Sequence, residues 1–286
     1  MVTVDDYYSD FENKWCPGCG NFGILAAMKD ALVKLEIPPE KIVMVSGIGQ
    51  AAKTPHFLQC NTFHGLHGRA LPLATGAKIA NHDLNIIVNS GDGDCYGEGG
   101  NHFMSAIRRN VDLTLLVHDN KVYGLTKGQA SPTADRGMVT KMQPQGVMME
   151  SFNPLAVALV LGAGFVARGF SGNMEHLSRV IQEGIRHKGI SLIDILQPCV
   201  SFNSVNTFGW YKKRVYDLFE EDYVPDDFDK ALKLSREWGD KIPIGILYQK
   251  EKPCFTDGIA TLQEGTLLSR EYDPKRLQNL LNPPTT

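Results

Sequence analysis

Apolar residues recur in two rhythms along the first two thirds of the chain. Between Asn21 and Leu35, the residues Ile24, Leu25, Met28, Leu32 and Leu35 keep the three- and four-residue spacing of one helix face. Pro38 and Pro39 stop that helix. Lys41 to Val45 is then a short apolar run that reads as a buried strand, leading into Ser46-Gly47-Ile48-Gly49. Helical spacing over 70–81, 100–109, 154–161 and 174–188 alternates with apolar runs at 84–89, 113–118, 164–166 and 191–196. Strands that are apolar on both faces, separated by helices, predict an α/β fold with a doubly covered, mostly parallel sheet. From about Asn203 the periodicity weakens. The charged and aromatic stretch Tyr211 to Glu237 predicts a helical extension, and the closing Asn-Pro-Pro-Thr-Thr a tail. The expected organisation is one α/β domain over 1–205, with a C-terminal extension over 206–286 that packs on it or on a partner subunit.

The polar loops share one position. SGIG, Ser90-Gly91-Asp92-Gly93-Asp94, Asp119-Asn120 and Gln197-Pro198-Cys199 each follow the carboxyl end of a predicted strand. Open α/β sheets bind their ligands there. With 286 residues the chain can bury a sizeable core without disulfide staples. A net charge of -3 offers no basic excess for a phosphate backbone, which argues against nucleic-acid binding. No apolar run approaches the roughly 20 residues of a membrane span. The acidic start, Met1 to Trp15, lacks the apolar core of a signal peptide, so a cytoplasmic location is expected.

Six cysteines, with no secretory signal, point toward metal or redox chemistry rather than disulfides. Cys16-Pro17-Gly18-Cys19 is a tight turn that can aim two thiolates at one centre. A second Cys-x-x-Cys is missing, so the usual zinc spacing is absent and other ligands must come from far along the chain. Cys199 follows a proline in a similar setting. On these residues alone, a metal site and a redox or incidental pair are equally open.

Gly91-Asp92-Gly93-Asp94 and the later Asp119-Asn120, each at a strand end, together resemble the thiamine-diphosphate motif. A protein-bound diphosphate usually needs a hard divalent cation, and Mg²⁺ takes oxygen donors. Asp92 would supply a carboxylate, Asn120 an amide oxygen and Val122 a main-chain carbonyl. The glycines would let the backbone approach phosphates closely.

The wider pattern resembles the β subunit of the 2-oxoacid:ferredoxin oxidoreductases. The matching residues are Trp15 to Gly20, Ser46 to Gly49, Phe63 to Ala70, Gly91 to Asp94, Asp119 to Thr126, Gly128-Gln129, Ser131 to Thr133 and Pro198-Cys199, in order. The resemblance implies CoA-dependent oxidative decarboxylation of a 2-oxoacid, with electrons passed singly through a [4Fe–4S] cluster to ferredoxin. It implies that Ile48, Gly49, Gln50, Ala51, His67, Gly93, Asp94, Gly124 and Leu125 line the thiamine diphosphate. It further implies Mg²⁺ on Asp92, Asn120 and Val122, and the cluster on Cys16, Cys19 and Cys199. The family commonly has its remaining cluster cysteine directly after SGIG, where this chain has Gln50. Cys60, ten residues on, is the favoured substitute, and a non-cysteine fourth ligand or a labile cluster are the alternatives. Cys95 is expected on the pocket wall and Cys254 in a structural role.

Lys127, just past the Mg²⁺ segment, is the candidate for the distal carboxylate of 2-oxoglutarate, because a cation there can make a charge-assisted hydrogen bond. Lys53 and Arg69 are further cations of interest. His67 is expected to bond a phosphate or the backbone rather than a metal, and His64 to be a satisfied core or pocket residue. Lys127 and His67 are thus the candidate catalytic residues. Pyruvate or branched-chain oxoacids remain open as substrates. No carboxylate for the aminopyrimidine ring is evident, which implies that an α subunit supplies the rest of the site in an αβ or (αβ)₂ assembly. The methionines from Met138 to Met149 suit loop or interface packing. Two readings of other classes stand beside this one: a zinc-binding module without catalysis, and a non-oxidative thiamine enzyme.

Overall fold

The structure, a computed structural model, describes residues 1–271 and 273–281. The expected tail, 282–286, lies outside the described residues. Eight strands form one sheet: β1 Ile42–Ser46, β2 Asn61–His64, β3 Asn85–Gly91, β4 Leu113–Asp119, β7 Phe165–Phe170, β8 Ile190–Leu196, β9 Val215–Asp217 and β10 Ile242–Gln249. A separate hairpin pairs β5 Val122–Tyr123 with β6 Gln129–Ala130. The strand order is β2-β1-β3-β4-β8-β7-β10-β9. Every pair in the sheet is parallel except β7 with β10.

The helices are α1 Gly20–Lys34, α2 Ala70–Ala80, α3 Gly100–Arg109, α4 Pro154–Val160, α5 Met174–Arg186, α6 Phe208–Lys212, α7 Phe228–Ser235 and α8 Pro274–Leu281. Their apolar stripes explain the layering. Ile24, Met28 and Leu32 of α1 join Leu177, Val180 and Ile181 of α5 in a core on one face of the sheet. Leu71, Phe103, Ile107, Leu155 and Ala231, from α2, α3, α4 and α7, form the core of the other face. β4 and β8, buried at every residue, lie between the two. The doubly covered parallel sheet is therefore present as expected. Among the described residues, no helix is long and apolar enough to cross a membrane.

Three differences from expectation have local causes. β2 is a short, wholly exposed edge strand, so it carries no apolar run to reveal it. The stretch 211–237 is not a single helical extension: it holds the end of α6, then β9, then α7. Finally, β10 is buried over its first seven residues and sits inside the main sheet. Its sequence contains Pro243 and Gly245, which read as strand breakers. Gly245 has a φ of 123°, and the register with β7 shifts between Ile246 and Tyr248, so β10 is an irregular strand next to the edge. Residues after 205 thus extend the same sheet through β9 and β10.

Candidate active site

The carboxyl ends of β1, β3 and β4 release three loops side by side, because these strands are parallel and adjacent. Ile48, Gly49, Gln50, Ala51, His67, Gly93, Asp94, Gly124 and Leu125 line one cleft with Asp92, Asn120 and Val122. Residues far apart in the sequence therefore meet at the carboxyl end of the sheet.

Asp94 holds the cleft together. Its Oδ1 accepts the Ile48 N–H at 3.1 Å and the Gly68 N–H at 2.7 Å, and stands 2.7 Å from His67 Nδ1. Its Oδ2 accepts the Ser90 hydroxyl. One buried carboxylate thus ties SGIG, the HGLHG loop and the GDGD turn to each other. Gly47 is required beside it: a Cβ there would meet Asp94 Oδ2 at 2.1 Å. Gly93, opening a turn of π-helix over Gly93–Glu98, has the Tyr123 ring where its Cβ would be, at 2.3 Å.

Asp92 is oriented by three donors that all reach Oδ2: the Lys121 N–H at 2.9 Å and the Ser131 and Thr133 hydroxyls, each at 2.6 Å. Burial, then the neighbouring Asp119, push its carboxyl up to about 7. Asn120 is fixed by donating to Gln197 Oε1 at 2.9 Å, while its Oδ1 accepts the Val122 N–H at 3.0 Å. A deeply buried carboxylate beside an amide oxygen and a turn of main chain forms a set of hard oxygen donors, the type that suits Mg²⁺.

Cys16, Cys19 and Cys199 line a second cleft, shared with Trp15, Asn21, Gln50, Asn120, Gln197 and Ser201. The two cysteine loops are tied directly, since the Gly20 N–H donates to the Pro198 carbonyl at 3.2 Å. Ser201 Oγ lies 3.1 Å from Cys16 Sγ and Gln197 Nε2 lies 3.6 Å from Cys19 Sγ. Burial, with Cys199 and Cys16 nearby, raises the Cys19 thiol to about 11. Hydroxyl and amide donors beside sulfur suit thiolates that share an iron–sulfur cluster. Among the described residues, no group of three His, Cys, Asp or Glu side chains is disposed to hold a single metal ion. A cuboidal cluster, larger than one ion, spreads its thiolates around itself.

Cys60 is not brought to this cleft. It precedes β2 at the amino end of the sheet, where Asn61 pairs with Val43, and packs against the core under α1. Burial pushes its thiol up to about 12. The ten-residue loop after Gln50 is spent on a short helix over Ala51–His56, which carries the chain back toward the starts of the strands. Cys95 is a core residue, not a wall of the first cleft. Cys254 is buried near the end of α3, where Asn110 Nδ2 donates to the Pro253 carbonyl at 2.9 Å.

Lys127 is exposed in the turn that connects β5 to β6, with a φ of 81°. It follows Leu125 and Thr126, which line the first cleft, but does not line it itself. Arg69 Nη1 lies 2.6 Å from His102 Nε2. His64 is exposed rather than a core residue, its Nδ1 2.9 Å from Ser46 Oγ. Met142, Met148 and Met149 line a separate, open apolar cavity of about 650 Å³. Sequence reasoning missed the roles of Ser131, Thr133, Gln197 and Ser90, the polar residues that orient Asp92, Asn120 and Asp94.

Residues 43–195 match the family model described as "Thiamine pyrophosphate enzyme, C-terminal TPP binding domain". Residues 199–264 match the model for the C-terminal part of the "Pyruvate ferredoxin oxidoreductase beta subunit". The chain is 50% identical over 251 residues to the 2-oxoacid:ferredoxin oxidoreductase subunit beta of Saccharolobus solfataricus, covering 84% of this chain and 82% of that one. It is 34% identical to the 2-oxoglutarate synthase subunit KorB of Methanocaldococcus jannaschii, covering 87% and 92%. Among solved structures, the 2-oxoglutarate:ferredoxin oxidoreductase from Magnetococcus marinus, with 2-oxoglutarate, coenzyme A and succinyl-CoA bound, superposes with a TM-score of 0.91 at 36% identity, over 99% of this chain and 97% of that one. The thiamine-type fold, the cleft at the ends of β1, β3 and β4, and these relatives agree: the chain belongs to the β subunits of the thiamine-dependent 2-oxoacid:ferredoxin oxidoreductases.

Proposed function

We propose that this β subunit binds thiamine diphosphate with Mg²⁺ in the first cleft and a [4Fe–4S] cluster in the second. With an α subunit it catalyses CoA-dependent oxidative decarboxylation of 2-oxoglutarate, and ferredoxin receives the electrons. The observation that carries the reading is the convergence of Asp92, Asn120 and Val122 with the SGIG loop and Tyr123 to Leu125 around one cleft.

Asp92, Asn120 and the Val122 carbonyl would hold Mg²⁺, a hard cation that would offset the charge of a bound diphosphate. Ser131, Thr133 and the Lys121 N–H keep the Asp92 carboxylate in one orientation. Thiamine diphosphate, when bound, supplies the carbanion chemistry of decarboxylation. The main chain of Ile48 and Gly49 and the ring of His67 would contact the diphosphate and its surroundings. Cys16, Cys19 and Cys199 would hold the cluster, whose cleft shares Gln50, Asn120 and Gly124 with the first. Shared walls favour direct passage of single electrons.

Three observations support 2-oxoglutarate: the KorB relatives, the ligands of the solved relative, and the exposed Lys127 two residues past Leu125. A lysine there would pair with the distal carboxylate that pyruvate lacks. The test is anaerobic purification of the αβ complex, followed by acyl-CoA formation with a panel of 2-oxoacids. The reading requires turnover that depends on thiamine diphosphate, Mg²⁺ and coenzyme A, with 2-oxoglutarate preferred. A preference for pyruvate would overturn the substrate. Turnover unaffected by stripping thiamine diphosphate would overturn the site.

A further inference from the structure

Three thiolates leave one corner of a cuboidal cluster without sulfur from the second cleft. Cys60 does not fill it. Cys60 stands level with the start of β1, and Gln50 follows that strand's far end. Four strand residues separate the two levels, which is about 13 Å of rise.

The polar side chains lining the cleft differ in what they have free. Asn120 and Gln197 bond each other, and Gln197 also donates to the Pro198 carbonyl at 2.9 Å. Ser201 faces Cys16 Sγ, and Asn21 Oδ1 lies 2.8 Å from His118 Nδ1. Gln50 stands apart. Its side-chain oxygen is buried and has no hydrogen-bond partner among the described residues. A buried acceptor without a donor is costly, so it signals a partner that the chain itself does not provide. Its backbone is pinned at the same place: the Gln50 carbonyl accepts the Trp15 indole N–H at 2.8 Å, and Trp15 adjoins Cys16. Gln50 also lines the thiamine cleft.

We propose that the Gln50 amide oxygen ligates the fourth iron of a three-thiolate cluster, on the side facing the thiamine cleft. This rests on the cluster reading above and supplies the fourth ligand that it leaves open. A neutral amide oxygen binds iron more weakly than a thiolate, so this iron is the exchangeable one. Replacing one thiolate by a neutral ligand also removes a negative charge from the cluster, which raises its reduction potential.

The test uses the anaerobically purified αβ complex as wild type, Gln50→Cys and Cys60→Ser. Ferricyanide takes one electron from an oxidised [4Fe–4S] cluster with a labile corner, releasing one Fe²⁺ and leaving a [3Fe–4S] cluster with its own EPR signal. The proposal expects that signal in wild type and in Cys60→Ser. It expects iron loss roughly tenfold slower in Gln50→Cys, the lower end of what a change near a metal does to affinity. The midpoint potential should also be lower in Gln50→Cys. Loss of the cluster in Cys60→Ser, or equal rates in wild type and Gln50→Cys, would overturn the proposal and leave the cluster itself standing. If Gln50→Cys does not fold, the wild-type conversion and the Cys60→Ser iron content still decide. Wild-type complex that binds thiamine diphosphate but contains no iron would overturn the cluster reading, and the proposal with it.

Discussion

His67 Nδ1 stands 2.7 Å from Asp94 Oδ1, and that carboxylate also takes the Ile48 and Gly68 N–H groups and the Ser90 hydroxyl. A carboxylate acceptor fixes Nδ1 as a protonated nitrogen. Nε2 lies 3.5 Å from Glu98 Oε2. Asp94 therefore sets both the tautomer of His67 and the path of two glycine-rich loops.

Asp94→Ala removes the common acceptor of the Ile48 and Gly68 N–H groups, His67 Nδ1 and the Ser90 hydroxyl. We expect a stability loss of about 2 kcal/mol, the scale for an unsatisfied buried donor. Thiamine diphosphate should bind more weakly, because SGIG and HGLHG lose their common anchor. Denaturant unfolding and cofactor titration of the purified complex check both. Unchanged unfolding would show that the four donors find other partners.

Gly47→Ala tests the same knot sterically. The added Cβ would lie 2.1 Å from Asp94 Oδ2, too close without a shift of loop or carboxylate. A cost of roughly 1–3 kcal/mol is expected, as for overpacking a core. Gly76→Ala, in α2 with open space at its Cβ, is the control and should be neutral or stabilising. Thermal unfolding of both variants separates a local clash from a general intolerance of substitution.

How far the sequence reads depends on how local each signal is. The helices α1, α2, α3, α4 and α5 carry their burial at three- and four-residue spacing and the strands β1, β3, β4 and β8 in nearly unbroken runs, and they appear where expected. The loops SGIG, GDGD and DN are compact motifs, so their meeting at the carboxyl end of the sheet follows from parallel topology. β2 and β10 are hidden, the first because it is wholly exposed, the second because Pro243 and Gly245 interrupt it. The expectation for Cys60 fails because loop length limits reach but not direction: the helix over Ala51–His56 turns the chain away. The four donors on Asp94 lie beyond sequence reading, since hydrogen bonds between loops leave no periodic trace.

Lys127→Gln isolates what a single cation contributes to substrate choice. The Michaelis constant for 2-oxoglutarate should rise by about tenfold or more, the worth of one charge-assisted hydrogen bond. The value for pyruvate, which lacks the distal carboxylate, should stay unchanged. Equal effects on both substrates would assign Lys127 to the loop rather than to selection.

Asp194, buried in β8, accepts the Tyr96 hydroxyl at 2.8 Å. Burial, then Asp119, push its carboxyl up to about 8 from an ordinary 3.8, against the opposing pull of Tyr96 and Arg168. The folded protein thus holds a proton that the unfolded chain releases. The contribution is complete below the ordinary value and is lost as the pH rises through about 8. The limiting slope for one proton is about 1.4 kcal/mol per pH unit. Denaturant unfolding of wild type and Asp194→Asn across this range should show wild type losing stability relative to the variant as pH rises. Parallel curves would mean that Asp194 is ionised throughout.

The most direct test of the account follows the visible absorbance of the anaerobic αβ complex after mixing with 2-oxoglutarate and coenzyme A. With thiamine diphosphate and Mg²⁺ in place, the cluster should bleach in wild type as it takes electrons from the decarboxylated substrate. Asp92→Ala should keep its cluster absorbance and fail to bleach, because the cation that anchors the diphosphate is lost. Bleaching at the wild-type rate in Asp92→Ala would contradict a Mg²⁺–thiamine diphosphate site at the ends of β3 and β4.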